Sequence, residues 1–213
     1  DHFPNAQKIH TSNSTINLNN LKYILKEQIL NNVILENNSF KLSQSTYGDF
    51  IYIKSNDNVL YVNDKNDLFK YYIECINDIK SFSFFNNKII TGGEKGELKI
   101  FEVGTEEKAK LVSTLLGHNA DIVAMSVYTD ILVTLGADSI IKVWKINNEE
   151  YIYPLLNIFM DKENEFVIWT EEGYFSVSSP EALKYITWHM NQGYDKEAIR
   201  YDIGKFYDVF FRP

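Results

Sequence analysis

The sequence predicts an all-β fold of the propeller type, about four blades of short antiparallel strands followed by a short helical C-terminal extension. Two observations lead there. First, a pattern of residue types returns at a fixed offset of 43: Ile79/Ile122, Ser83/Ser126, Ile89/Leu132, Thr91/Thr134, Gly93/Gly136, Lys99/Lys142 and Phe101/Trp144. It returns more faintly at an offset of 38, in Ser43/Ser81, Ser45/Ser83, Ile51/Ile89, Leu60/Leu98 and Val62/Ile100. Second, the repeated unit consists of short runs rich in Ile, Val, Phe and Tyr, separated by turn residues. A period of about 40 residues made of such runs is the signature of a propeller array.

Taken in order, residues 1–20 are a polar, irregular lead-in with one short strand around Ser14–Leu18. Residues 21–178 carry the blades. Leu21, Ile24, Leu25 and Ile29 have helical spacing, but the repeat offset sets Leu21–Leu25 opposite Val59–Asn63, which favours a strand. Asn32–Glu36 then aligns with Lys70–Glu74 as a second strand. Three full blocks follow. The first has runs Lys41–Thr46, Phe50–Lys54, Asn58–Asn63 and Phe69–Glu74. The second has Ile79–Phe85, Lys88–Gly92, Glu97–Val103 and Lys110–Leu116. The third has Ile122–Tyr128, Ile131–Leu135, Ile140–Ile146 and Tyr151–Phe159. Asn86-Asn87, Lys95-Gly96, Thr129-Asp130 and Ala137-Asp138 mark turns between runs. The change of offset from 38 to 43 fits a polar loop insertion at Gly104–Lys108.

Glu165–Thr170 and Tyr174–Ser178 read as a hairpin, the first half of a further blade that Leu21–Glu36 would complete from the other end of the chain. That pairing would protect strand edges, which are otherwise liabilities. Residues 179–213 form the extension. Ser179 as N-cap and Pro180 in the first turn predict a helix with Leu183, Ile186 and Met190 on one stripe, ending at Gln192-Gly193. A second short helix is expected around Asp202–Phe210.

Composition bounds the function. The 213 residues are 45% hydrophobic, enough for a packed core, and carry a net charge of −8, which disfavours a general nucleic-acid surface. A single cysteine, Cys75, leaves no intramolecular disulfide or Cys-rich zinc site, and the His residues lack metal-type spacing. No apolar run approaches a membrane span, and no signal peptide is visible, so the expectation is a cytoplasmic protein without cofactor, metal, nucleic-acid or membrane partner. The start at Asp1 and the end at Arg212-Pro213 suggest a piece of something longer.

Residues 109–146 resemble a WD repeat: Gly117-His118 stands near one end, Thr134 in the second run, Asp138 in the next turn and Trp144 in the third run. The resemblance implies that His118, Thr134, Asp138 and Trp144 form a hydrogen-bonded chain satisfying buried polar groups. Lys145 replaces the final Asp of the Trp-Asp pair. In the preceding repeat Cys75 stands for His118, Lys95 for Asp138 and Phe101 for Trp144, so that unit must rely on apolar packing. Residues 153–213 are similar to the segment after the repeats in bacterial WD-repeat proteins that carry a caspase-like peptidase domain. The similarity rests on Trp169, Gly173-Tyr174, Ser179-Pro180, Trp188-His189, Asn191, Gly193, Phe206, Phe210 and Arg212-Pro213.

Other chemistry weighs less. Cys75 and His118 occupy equivalent places in successive repeats, a blade apart, which argues against a nucleophile–base pair. Thr91–Gly96 lacks the Gly-Lys-Ser/Thr ending and the following helix of a phosphate loop. Glu106-Glu107 and Glu171-Glu172 read as solvated charge in loops. Of the C-terminal residues Trp188, His189, Asn191 and Arg212, His189 is the polar group most worth testing. The expected function is a non-catalytic interaction scaffold, its partner a peptidase domain or its regulator, with self-association open. The alternative is a ligand-binding or enzymatic propeller that uses its central channel.

Overall fold

The computed structural model describes residues 8–10, 15–17, 45–47, 50–56, 58–64, 66, 68–86, 88–147 and 151–212. The chain is all-β, a succession of antiparallel sheets. A small N-terminal ribbon pairs β1 (Lys8–His10) with β2 (Thr15–Asn17), so the strand expected near Ser14–Leu18 has a partner. Leu21–Glu36 lies outside the described residues.

The first sheet runs in sequence order: β3 (Ser45–Tyr47), β4 (Phe50–Asn56), β5 (Val59–Asp64) and β6 (Phe69–Glu74). The second is built alike from β7 (Ile79–Phe85), β8 (Lys88–Gly93), β9 (Glu97–Glu102) and β10 (Lys110–Leu116). From β4 on these strands follow the predicted runs closely, because the runs are rich in β-branched and aromatic residues and are bounded by turn formers. β3 overlaps the expected Lys41–Thr46 only at Ser45-Thr46, residues 41–44 lying outside the described residues. Phe85 pairs with Lys88 across a two-residue turn in which Asn86 has φ 55°. That left-handed backbone suits asparagine. The predicted insertion at Gly104–Lys108 is an exposed loop. Its last residues are tied to the first sheet, where the Tyr72 amide donates to Glu107 and the Ala109 amide donates to Tyr72.

The third sheet differs from expectation. It starts with β11 (Ile122–Tyr128), β12 (Ile131–Gly136), β13 (Ile140–Ile146) and β14 (Ile152–Met160). It then continues through β15 (Phe166–Trp169) and β16 (Phe175–Val177) to six strands. The hairpin Glu165–Ser178 therefore extends the third sheet and does not open a separate blade. The reason lies in β14, where Leu155, Leu156, Asn157 and Ile158 are all buried. With β13 on one edge, the buried backbone groups of the other edge are satisfied by β15, where Asn157–Met160 pair with Phe166–Trp169. Asp161 closes the connection, its Oδ1 accepting from the amides of Glu163 at 2.8 Å and Glu165 at 2.9 Å. Among the described residues, no strand pairing closes the sheets into a ring.

The second and third sheets meet through β7, β8 and β11. Ser81 Oγ donates to the Ile122 carbonyl at 3.0 Å. Gly92 lies so close to Ile122 and Met125 that a Cβ there would fall within 2.6 Å of each. Thr91–Gly96, excluded above as a phosphate loop, is thus a strand and a tight turn fitted against the next sheet. One apolar core joins the first and second sheets through Leu60, Ile73, Cys75, Ile79 and Phe101, and a further one joins the second and third through Ile90, Leu98, Ile122 and Trp144. Each fully buried side chain of this kind contributes about 1.5–3 kcal/mol.

The C-terminal extension also corrects the sequence reading. A helix through Met190 is not formed. A 3₁₀ helix spans Pro180–Tyr185, and the chain then turns into β17 (Thr187–Met190), paired with β18 (Ile199–Asp202). Two causes act together. The Ser179 hydroxyl donates to Glu165 at 2.6 Å and caps nothing. Past Tyr185, the β-branched and aromatic residues Ile186, Thr187 and Trp188 favour extended backbone. Leu183 and Ile186 still pack inward, but Met190 is exposed. Near the second predicted helix, a 3₁₀ turn Ile203–Phe206 leads into α1 (Tyr207–Phe210).

Candidate functional site

Two constellations stand out. The first unites the four residues named from the repeat. The turn before β11 delivers His118, β12 delivers Thr134, the β12–β13 turn delivers Asp138, and β13 delivers Trp144. His118 Nε2 lies 2.8 Å from Thr134 Oγ1, and His118 Nδ1 lies 3.1 Å from Asp138 Oδ1. Trp144 Nε1–H donates to Thr134 Oγ1 at 2.9 Å. His118 and Trp144 are each only 2% exposed and Thr134 0%. One direction satisfies every proton. Trp144 donates to Thr134, the Thr134 hydroxyl donates to His118 Nε2, and His118 Nδ1–H donates to the Asp138 carboxylate. Asp138 also accepts from the amides of Asn119 at 3.0 Å and Ile140 at 3.1 Å.

Electrostatics agree with a neutral imidazole. Burial holds the His118 pKa below its ordinary value, against the pull of Asp138, and Lys142 acts in the same direction as burial. Burial pushes the Asp138 carboxyl upward, but the Asn119 and Ile140 amides and His118 outweigh it, and its pKa stays below the usual range. The backbone is fitted to the pair. Gly136 sits where any Cβ would collide with His118 and Asp138. Gly96, at φ 75°, accepts from the Gly117 amide at 2.7 Å, with no room for a side chain beneath His118. Lys145, where the repeat would have Asp, forms an ion pair with Asp130 in the β11–β12 turn.

The second sheet holds a reduced version of the chain. Cys75 Sγ lies 3.9 Å from Thr91 Oγ1, the counterpart of His118 against Thr134. Each therefore engages its own sheet's threonine. Burial raises the Cys75 pKa, which keeps it a thiol. Phe101, in Trp144's place, is 3% exposed and packs in the core. Backbone bonds repeat as well: Glu94 N–H to Asp78 O, and Ala137 N–H to Asp121 O.

The second constellation is the C-terminal aromatic cluster. Phe175 packs edge-on against Trp188, Tyr207 and Phe211, and Tyr207 stacks on Phe211 with centroids 4.4 Å apart. Trp188 lies over Gly173, whose φ of 92° suits glycine, and within 4.7 Å of the Phe210 centroid. The Arg212 amide donates to the Phe175 carbonyl at 2.8 Å, and its guanidinium sits 4.8 Å from the Tyr174 centroid. His189 is exposed and pairs in register with Arg200, while Asn191 is exposed beyond β17. Trp188 and Arg212 thus belong to one packed unit. His189 and Asn191 stand outside it.

Beside this unit lies a cleft of about 430 Å³, lined by Phe159, Trp169, Tyr185, Trp188 and His189 among others. It opens between β14–β15 and the 185–189 segment, away from the β7–β11 contact between the second and third sheets. Sequence reasoning missed it because its walls come from strands and a 3₁₀ helix whose neighbours are set by the β14–β15 pairing. Among the described residues, no group of three or more His, Cys, Asp or Glu side chains is placed to hold a metal ion, and no helix is long and apolar enough to cross a membrane.

No protein-family model matches the chain, and no curated protein matches it. Among solved structures, the chain is similar to the computationally designed Ika4 protein, at 20% identity over 63% of this chain and 88% of that one, with a TM-score of 0.43. It is also similar to the computationally designed Ika8 protein, at 20% identity over 63% of this chain and 44% of that one, with a TM-score of 0.41.

Proposed function

We propose that this chain is the WD-type propeller part of a larger bacterial protein and serves as a non-catalytic platform for protein–protein interaction in the cytoplasm. The observation that carries the reading is the Trp144–Thr134–His118–Asp138 chain. It spends the most reactive buried groups of the third sheet on one another. The imidazole is neutral, fully bonded and sealed from solvent, so it has no free lone pair for a substrate proton. The reduced Cys75–Thr91 copy supports the same view, since a structural device degrades gradually from unit to unit. Two four-strand sheets, and a third whose first four strands are ordered alike before two more are added, with a backbone contact recurring at the repeat offset, support the propeller type. The partner class that the C-terminal resemblance implies is a peptidase domain, or its substrate or activator.

Selection from a displayed random-peptide library tests the platform reading. Enrichment of peptides that bind saturably and are recovered with unchanged mass is expected. Recovery of cleaved or modified peptide would overturn the non-catalytic assignment, and failure to enrich any peptide would count against the platform.

A further inference from the structure

The cleft beside β15 has walls of one chemistry and a rim of another. Its walls include the rings of Phe159, Trp169, Tyr185 and Trp188, with Phe159 and Tyr185 centroids 5.1 Å apart. Its rim is acidic. Tyr185 donates its hydroxyl to Asp161 Oδ2 at 2.5 Å, which fixes that carboxylate at the Tyr185 wall. Glu171 and Glu172 precede the lining residue Gly173 in an exposed turn, with Glu171 held by Asn157 Nδ2 at 3.1 Å. Two lysines stand near. Lys184 lies 4.8 Å from the Tyr185 centroid, and Lys142 is 3.9 Å from Glu171. Lys184 shows that an ammonium group already uses one ring of this wall. Finally, the indole N–H of Trp188 is buried and lacks an acceptor among the described residues. Buried donors rarely go without one.

We propose that this cleft binds a basic residue of a peptide. Its ammonium or guanidinium lies against the aromatic walls, where the ring faces attract cations, under the field of Asp161, Glu171 and Glu172. The Trp188 N–H is buried, takes no part in the contact and serves only as a reporter of the wall it belongs to. The proposal rests on the platform reading for its partner class and names the chemistry that partner presents.

The three tryptophans make the test selective. Their indole N–H resonances are followed by NMR while the intact chain is titrated with N-acetyl-arginine amide, N-acetyl-lysine amide or the neutral N-acetyl-norleucine amide. Trp169 and Trp188 should shift saturably with the cationic probes. Trp144, bonded to Thr134, should stay still. Norleucine should bind about two- to fivefold more weakly, as loss of a cation–π contact at an open cleft implies. The E171Q/E172Q double variant, changed only in an exposed turn, should weaken the cationic probes and leave norleucine unaffected. Equal binding of norleucine, equal movement of Trp144, or no shift at millimolar probe would overturn the proposal. Displayed peptides that bind the E171Q/E172Q protein as well as the original would sink the cleft and leave the platform standing. Arginine-dependent shifts at Trp169 and Trp188 without any enriched peptide would do the reverse.

Discussion

Thr134 is the hinge of the buried polar chain, because its hydroxyl is both the acceptor for Trp144 and the donor to His118. Thr134→Val leaves an indole N–H and an imidazole nitrogen buried without partners, at about 1–3 kcal/mol each. Trp144→Phe removes a donor and leaves the Thr134–His118–Asp138 bonds in place, and the second sheet already tolerates Phe101 there. Urea titration should therefore show Thr134→Val losing about 3 kcal/mol and Trp144→Phe about 1 kcal/mol. The reverse order would show that Thr134 is not the junction of the chain. His118 adds a pH dependence of definite sign. Its folded pKa lies below the ordinary 6.5, so as pH falls the unfolded chain takes up the proton first. The associated stability is full above about pH 6.5 and is lost as pH drops below it. Asp138, also lowered, acts in the same direction at more acidic pH. The urea midpoint should fall between pH 7.5 and 5.5, and His118→Gln should flatten that slope. These four residues were readable from the sequence through the resemblance of residues 109–146 to a WD repeat, which adjacent turns and strands carry. What spacing did not reveal was the need for Gly136 and Gly96, which comes from side chains and carbonyls packed over the backbone.

At the scale of elements, the junction between Glu165 and Ser179 decides how the extension starts. Glu165 accepts from the hydroxyls of both Ser178 and Ser179, and these bonds hold its carboxyl below the usual range. Glu165→Ala should loosen the Pro180–Tyr185 turn without touching β14. Amide hydrogen exchange should speed up at Ala182 and Ile186, with Leu156 unchanged. Uniform acceleration at all three would mean that the junction supports the whole sheet. The strands of the second and third sheets were legible because their runs are short, rich in Ile, Val, Phe and Tyr, and separated by Asn, Gly, Thr or Asp turns. The helix expected through Met190 was not, because its stripe of Leu183, Ile186 and Met190 competes with the strand preference of Ile186–Trp188. A ring of neighbours from distant elements, Gly173, Phe206 and Phe210, fixes Trp188 in the extended form. Partner choice for β15 was equally hidden, since a hairpin pattern says nothing of which edge it joins.

On the scale of the molecule, the chain holds separable cores. Ile203, Tyr207, Phe210 and Phe211 cover Phe175 and Trp188 and touch neither His118 nor Trp144 through their ring contacts. Removing residues 203–213 should expose the Trp188 environment, seen as a red shift and loss of near-ultraviolet dichroism. The Trp144 indole N–H signal should persist. Loss of both together would show a single cooperative unit. The double-sided pairing of β14 sets a further condition on how such a chain can be recombined. The extension cannot be transplanted by cutting at Ser179, or even at Asp161, because its first hairpin takes its register from a strand that is also the fourth of the third sheet. The smallest inheritable module that carries the aromatic unit on an intact sheet is therefore the span from Gly117, so that His118 keeps Thr134 and Asp138, to Arg212. A graft made at any later seam would deliver a hairpin with no template to lie on.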